Sequence, residues 1–149
     1  MRLLLAALIA FSAAFAADTP KDQQGTWKFD VSKSDWSNNP NGSPREATLT
    51  ITDNGWTYVA TESSGKKTDL RFDKQANSVS GNDHITVKME PTGNPNLSDM
   101  RICDKDTGRE LERVVTAAVP GGKSLVLYGS GVTPDGKQWW DTSYFDKVR

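Results

Sequence analysis

Ala47-Thr48-Leu49-Thr50-Ile51-Thr52-Asp53-Asn54-Gly55-Trp56-Thr57-Tyr58-Val59-Ala60 decides the fold. Apolar residues and threonines alternate strictly from 47 to 52, the two-residue period of a strand with one buried face. Asp53-Asn54-Gly55 then supplies side chains that tolerate the positive φ of a tight turn, and Trp56, Tyr58 and Ala60 resume the alternation. The stretch reads as an antiparallel hairpin.

The same period recurs on both sides of it. Trp27, Phe29 and Val31 alternate upstream; Leu70-Phe72, Ile85-Val87-Met89, Met100-Ile102, Leu111 through Val115 to Val119, and Leu125-Leu127 follow downstream. Between them stand Ser64-Gly65-Lys66, Lys105-Asp106-Thr107-Gly108, Pro120-Gly121-Gly122-Lys123 and Pro134-Asp135-Gly136-Lys137, each short enough for a hairpin turn. The pattern predicts nine strands, at 26–31, 45–52, 56–63, 67–73, 84–90, 98–104, 109–119, 124–132 and 137–148. No helical period competes, and Ser32–Trp36 forms at most one short turn. Hairpins in series without crossover helices make a meander, which closes into a barrel or folds into a sandwich. The expected class is all-β, an antiparallel up-and-down barrel of eight to ten strands.

Strand number has a geometric consequence. In a nine-strand meander the first and last strands run the same way and cannot pair antiparallel; the simplest repair is a tenth short strand in Asn77–Gly81, where Val79 sits between serines, and otherwise one of the nine is spurious. The two longest irregular stretches, Ser32–Pro44 and Pro91–Leu97, lie at one end of a nine-strand meander, forming an open mouth opposite Trp27. A tenth strand before residue 84 reverses the second of them.

Composition sets the class of protein. Fourteen of the first sixteen residues are apolar, Met1-Arg2 carries one positive charge, and Ala14-Phe15-Ala16 has the small-x-small pattern of a cleavage site. Residues 1–16 are therefore expected to be a cleaved signal peptide, cut after Ala16. Residues 17–24 form a polar lead and 25–149 the barrel domain, in the periplasm or secreted. No later run approaches the ~18 apolar residues of a membrane span. Among 149 residues, 18 Lys+Arg stand against 19 Asp+Glu, too balanced for a nucleic-acid or membrane-surface binder. One Cys and one His exclude a disulfide framework and argue against a His/Cys metal site, so neither a cofactor nor a metal is expected. Cys103 is expected to act as a small apolar strand residue.

Gly25-Thr26-Trp27-Lys28 opens the first strand and is similar to the Gly-x-Trp start shared by lipocalins and fatty-acid-binding proteins. More closely, the chain resembles a group of small bacterial exported lipocalin-like proteins of unassigned function. The matching features are Gly25-Thr26-Trp27 followed by Ser32-Lys33-Ser34, Arg113-Val114-Val115 before Gly122-Lys123, and Asp135-Gly136-Lys137 before a last strand ending Phe145-Asp146-Lys147. The likeness covers nearly all of 25–148. It implies a small barrel with a Trp plugging its closed end, and an activity of binding a small hydrophobic or amphipathic molecule, not catalysis. The chain departs from the pattern in two places. Asp141-Thr142-Ser143-Tyr144-Phe145 lacks the Arg-x-Tyr with which fatty-acid-binding proteins hold a carboxylate, and only Lys147 and Arg149 can take the place of the Arg that lipocalins stack over the Trp.

Alternation nominates the candidate ligand-binding residues. Leu49, Ile51, Phe72, Val87, Val115 and Leu127 are expected to wall a cavity. Arg113 shares its phase with Leu111, Val115, Ala117 and Val119, which points it inward as a polar anchor; the alternative is an Arg that reaches water or pairs with a structural carboxylate. Trp56, Tyr58, Trp139, Trp140 and Tyr144 are stacking candidates or cross-strand packing pairs, and adjacent Trp139 and Trp140 must point to opposite sides. Asp104-Lys105-Asp106-Thr107-Gly108 resembles a calcium loop but lacks its third side-chain ligand and distal Glu, so a solvated turn is expected. His84 has no nucleophile motif beside it. The binding reading calls for an enclosed apolar pocket of at least ~300 Å³. The rival reading is a packed barrel contacting a protein or glycan through surface Trp residues and loops.

Overall fold

The structure, a computed structural model, describes residues 18–76 and 78–148; the expected targeting segment 1–16 lies outside them. Ten strands follow one another: β1 Gly25–Asp35, β2 Pro44–Thr52, β3 Gly55–Glu62, β4 Lys67–Asp73, β5 Ser78–Ser80, β6 Ile85–Glu90, β7 Leu97–Asp104, β8 Glu110–Ala118, β9 Ser124–Val132 and β10 Gln138–Lys147. Every ladder is antiparallel, and the order around the sheet is β5-β4-β3-β2-β1-β10-β9-β8-β7-β6. The first strand pairs with the last, so the meander curls into a nearly closed barrel whose two edges are β5 and β6.

The tenth strand is the short one around Val79, and it makes the number even. It puts the loop after β1 and the loop after β6 at opposite ends, which corrects the expectation of a single two-loop mouth. The loop after β6 sits at the Trp27 end, where the Asn96 carbonyl accepts from the Gln23 amide at 3.0 Å. The first strand is also longer than expected. Where a short turn was foreseen at Ser32–Trp36, β1 bulges between Asp30 and Asp35 and continues to Asp35. The Ser34 hydroxyl holds the bulge by donating to the Asp30 carbonyl at 2.7 Å and accepting from the Tyr144 N–H at 2.9 Å.

Cross-strand register defines the inner face row by row. Trp27–Leu49–Tyr58–Leu70 and Ile51–Trp56–Phe72–Val79 line one wall. Ser143–Leu127–Thr116–Ser98, Asp141–Gly129–Val114–Met100–Met89 and Trp139–Gly131–Glu112–Ile102–Val87 line the other. Trp27, Phe29, Ala47, Leu49, Ala60, Leu125 and Phe145 form the core cluster, with Trp36 and Leu127 packed against it. Phe29 meets Phe145 edge-on at 5.5 Å between ring centroids.

The segment before β1 closes the Trp27 end. A single 3-10 turn at Lys21–Gln23 carries Gln23 inward until it is 1% exposed. Its amide donates to the carbonyls of Asn96 and Thr116, both at 3.0 Å, and its oxygen accepts from the Ser98 hydroxyl at 2.8 Å. The buried Trp27 indole N–H donates to the Gln23 carbonyl, and the Lys147 ammonium lies 4.9 Å from the Trp27 ring centroid. Lys147 thus occupies the place over the Trp face that the lipocalin resemblance gives to an Arg. The polar lead of residues 17–24 is therefore in part a stopper, because a glutamine with every polar group satisfied can be buried.

Candidate functional site

Between the two ends lies a cavity of about 230 Å³. Its walls are mostly apolar: Leu49, Ile51, Trp56, Leu70, Phe72 and Leu127 are among them, with Met89, Met100 and Ile102 facing across. Of the residues nominated from sequence, Leu49, Ile51, Phe72 and Leu127 line this space. Val87 stands in the same inner row as Ile102 and is fully buried in the packing behind it. The volume does not meet the ~300 Å³ that the binding reading called for; it has room for a molecule of about ten heavy atoms.

Arg113 and Val115 are corrections. The inner phase of β8 is Glu112, Val114 and Thr116, so Arg113 and Val115 point outward. The Arg113 guanidinium forks onto Asp99 of β7, Nε to Oδ1 at 2.9 Å and the terminal nitrogen to Oδ2 at 2.5 Å. That bond holds the Asp99 carboxyl below its ordinary range and the guanidinium above its own. The phase was misleading because apolar residues occur in both registers of β8, and the inward register carries a Glu and a Thr. A carboxylate in phase with Val114, opposite the adjacent inward glycines Gly129 and Gly131, was the available sequence signal.

The two carboxylates of the cavity, Glu112 and Asp141, lie away from Trp27. Glu112 lines it with no hydrogen bond or ion pair to any described residue; by area it is half-buried because it borders the cavity. Shielding from water, and secondarily the charge of Asp141, push its carboxyl up to about 7. Asp141, in the adjacent row, is 5% exposed. It accepts from the Asn39 amide at 2.6 Å, and burial raises its pKa against the lowering effect of Asn39 and the Gly129 backbone. Gly129 leaves this carboxylate its space: a Cβ there would stand 2.9 and 3.0 Å from its two oxygens. Tyr58 faces them across the barrel. Its hydroxyl is pushed up to about 12 by burial, then by the charges of Glu112, Asp141 and Glu62.

The loop after β1 folds down onto this end. Trp36 lines the cavity, packs edge-on against Phe29 at 6.4 Å, and donates its indole N–H to the Ser143 hydroxyl at 2.9 Å. Asn39 reaches Asp141 from the same loop. At the opposite end the Trp56 indole N–H is buried without a partner among the described residues, and Lys74 borders the cavity with its ammonium 3.8 Å from Asp18. None of these residues except Trp56 and Tyr58 was nominated from sequence, since Trp36 and Asn39 enter from a loop and Asp141 stands in a strand to which the sequence assigned no inward phase.

The remaining candidates find ordinary places. Trp139 is buried beneath the inner face, while Trp140 points outward and is 46% exposed, beside exposed Tyr128 on β9. Tyr144 is half-buried on the outward face of β10. The Asp104 carboxylate closes its own turn, accepting from the Thr107 N–H and hydroxyl, both at 2.7 Å, and from the Asp106 N–H at 3.1 Å. Cys103 is buried and His84 exposed.

No protein-family model matches the chain, and no curated protein sequence matches it. Among solved structures, the chain is similar to zebrafish ileal bile acid-binding protein crystallised with cholic acid, at a TM-score of 0.48 and 10% identity, over 85% of this chain and 99% of that one.

Proposed function

We propose that this protein is an exported binding barrel for a small, partly apolar molecule. The observation that carries the reading is the interior: an apolar cavity of about 230 Å³, stopped by Gln23 and Trp27 at one end and by Trp36 and Asn39 at the other. A barrel with no ligand to hold gains stability by filling such a space, since empty volume lined by side chains forfeits packing. The aromatic and aliphatic walls supply binding energy, and the few inward polar groups supply orientation. Catalysis is not part of this reading. Export rests on the sequence of residues 1–16, and N-terminal sequencing of the protein from its host tests it, with Ala17 expected as the first residue.

Binding is tested by titrating 3-phenylpropan-1-ol into protein with labelled methyl groups. Saturable shifts at Leu49, Ile51 and Leu127, lost in Leu127→Trp, support an internal site. Shifts spread equally over outward Val59 and Val115, or no saturation, count against it. The cavity weighs against the rival reading of a packed interaction module. The remaining support for that reading is the outward pair Trp140 and Tyr128.

A further inference from the structure

Resting on the cavity reading above, we propose that the barrel selects a small organic cation, an amine on an apolar body, whose ammonium group is held by Glu112 with Asp141 as the second negative charge. The first support is placement. Glu112 and Asp141 occupy adjacent inner rows, Trp139–Gly131–Glu112 and Asp141–Gly129–Val114, and both border the cavity. The strand between them presents glycines there, and the room they leave is taken by neighbours: the Asp141 carboxylate stands over Gly129 and the Trp139 indole over Gly131.

The second support is the absence of a countercharge. Glu112 has no hydrogen-bond or ionic partner among the described residues, and it stands half-buried in the cavity wall, away from bulk water. Asp141 has the neutral Asn39 amide and no cation. A desolvated carboxylate without a partner is a costly arrangement, relieved by a proton or by a cation carried in from outside. The other charged groups facing this space do not supply one. Glu62, at the rim, adds negative charge and keeps Lys66 at 3.5 Å for itself. Tyr58 is neutral at physiological pH. Lys74 borders the cavity at the Trp27 end, beyond the end of β4, and its ammonium is turned to Asp18.

Both carboxylates therefore attract an ammonium and repel an anion. A charge-assisted hydrogen bond in a water-poor site is about twice as strong as a neutral one, which makes charge the main discriminator among ligands of one shape. Fatty-acid chemistry is disfavoured by the same reasoning.

The test uses three probes of one shape: 3-phenylpropylamine, 3-phenylpropan-1-ol and 3-phenylpropanoate, titrated calorimetrically into the purified protein at pH 8. The amine should bind at least about tenfold more tightly than the alcohol, with the carboxylate weakest. Glu112→Gln should erase the preference for the amine, bringing amine and alcohol affinities to within about threefold of each other, and a cooperative thermal melt reports that the variant is folded. Asp141→Asn should reduce the preference in part. Carboxylate binding as tight as amine binding, or an amine preference that survives Glu112→Gln, overturns the charge assignment and leaves the cavity reading standing. Binding of none of the three overturns the cavity reading, and this proposal with it.

Discussion

The Trp27 indole N–H donates to the Gln23 carbonyl oxygen at 2.9 Å, joining a residue of the first strand to the turn that precedes it. Through Gln23 the contact reaches Asn96, Ser98 and Thr116, so one end of the barrel is stopped by a four-point hydrogen-bonded plug. Gln23→Ala strips those partners and opens a void beneath the indole. A loss of roughly 2–3 kcal/mol is expected by urea denaturation, since buried polar groups left unpaired cost about 1–3 kcal/mol. A loss below about 0.5 kcal/mol, the range of surface substitutions, would show the plug to be decorative.

Arg113→Leu separates an outer ion pair from an inner anchor. Asp99 is mostly buried and loses its bidentate partner, while Arg113 itself is half-exposed, so solvent screening holds the cost to about 1 kcal/mol. Because Arg113 depresses the Asp99 pKa, the stabilisation is present above the ordinary 3.8 and is lost as pH falls through the depressed value. Chemical denaturation of both proteins should therefore show a gap at pH 7 that narrows in acid. Affinity for 3-phenylpropan-1-ol should not change.

Glu112→Gln carries the opposite sign. A carboxyl raised from 4.5 to about 7 in the folded state contributes stability that is full below 4.5 and lost as pH rises through 7. At pH 8 the ionised, unpaired group destabilises the fold by on the order of 3 kcal/mol. The variant should melt higher than the parent at pH 8 and at the same temperature at pH 4. Equal melting temperatures at both values would mean that Glu112 is solvated and does not face an enclosed space.

Gly129→Ala probes the room left for Asp141. The added methyl stands within 3.0 Å of both carboxylate oxygens, so either β9 or the Asp141 side chain must shift. Overpacking of this kind costs about 1–3 kcal/mol. The shift should also break the Asn39 contact, so Asn39→Ala is expected to cost much less in the Gly129→Ala background than alone. Additive losses would place the strain elsewhere.

The strands were legible in the sequence because the barrel wall is one sheet thick, and strands announce their buried face by alternation, as at Ala47–Thr52 and Trp27–Phe29; Val31, read in the same phase, is exposed because β1 bulges after Asp30. Even parity left two outcomes open, a tenth strand around Val79 or one strand fewer than nine, and the structure has the tenth. The site was legible only on the wall where alternation is clean. Leu49, Ile51 and Phe72 stand with threonines or charges between them. In β8 the inward register reads Glu112, Val114, Thr116 and the outward one Leu111, Arg113, Val115, so hydrophobicity favours the wrong face. The polar residues that make the site a site are what disguise its strand.

The sequence by itself determined the all-β meander, the hairpin boundaries and the need for an even number of strands, since these follow from period, turn chemistry and antiparallel closure, all local or topological. Tertiary structure alone decided which face of β8 turns inward and which loop meets which end. It also decided that Gln23 plugs the barrel and that Glu112 and Asp141 come to share one space. Those outcomes depend on register across five strands and on segments folding back from outside the sheet, where neighbours lie about a hundred residues apart in the chain. A local pattern carries no record of such pairings, and charge in an apolar interior becomes visible only once the walls that exclude water are in place.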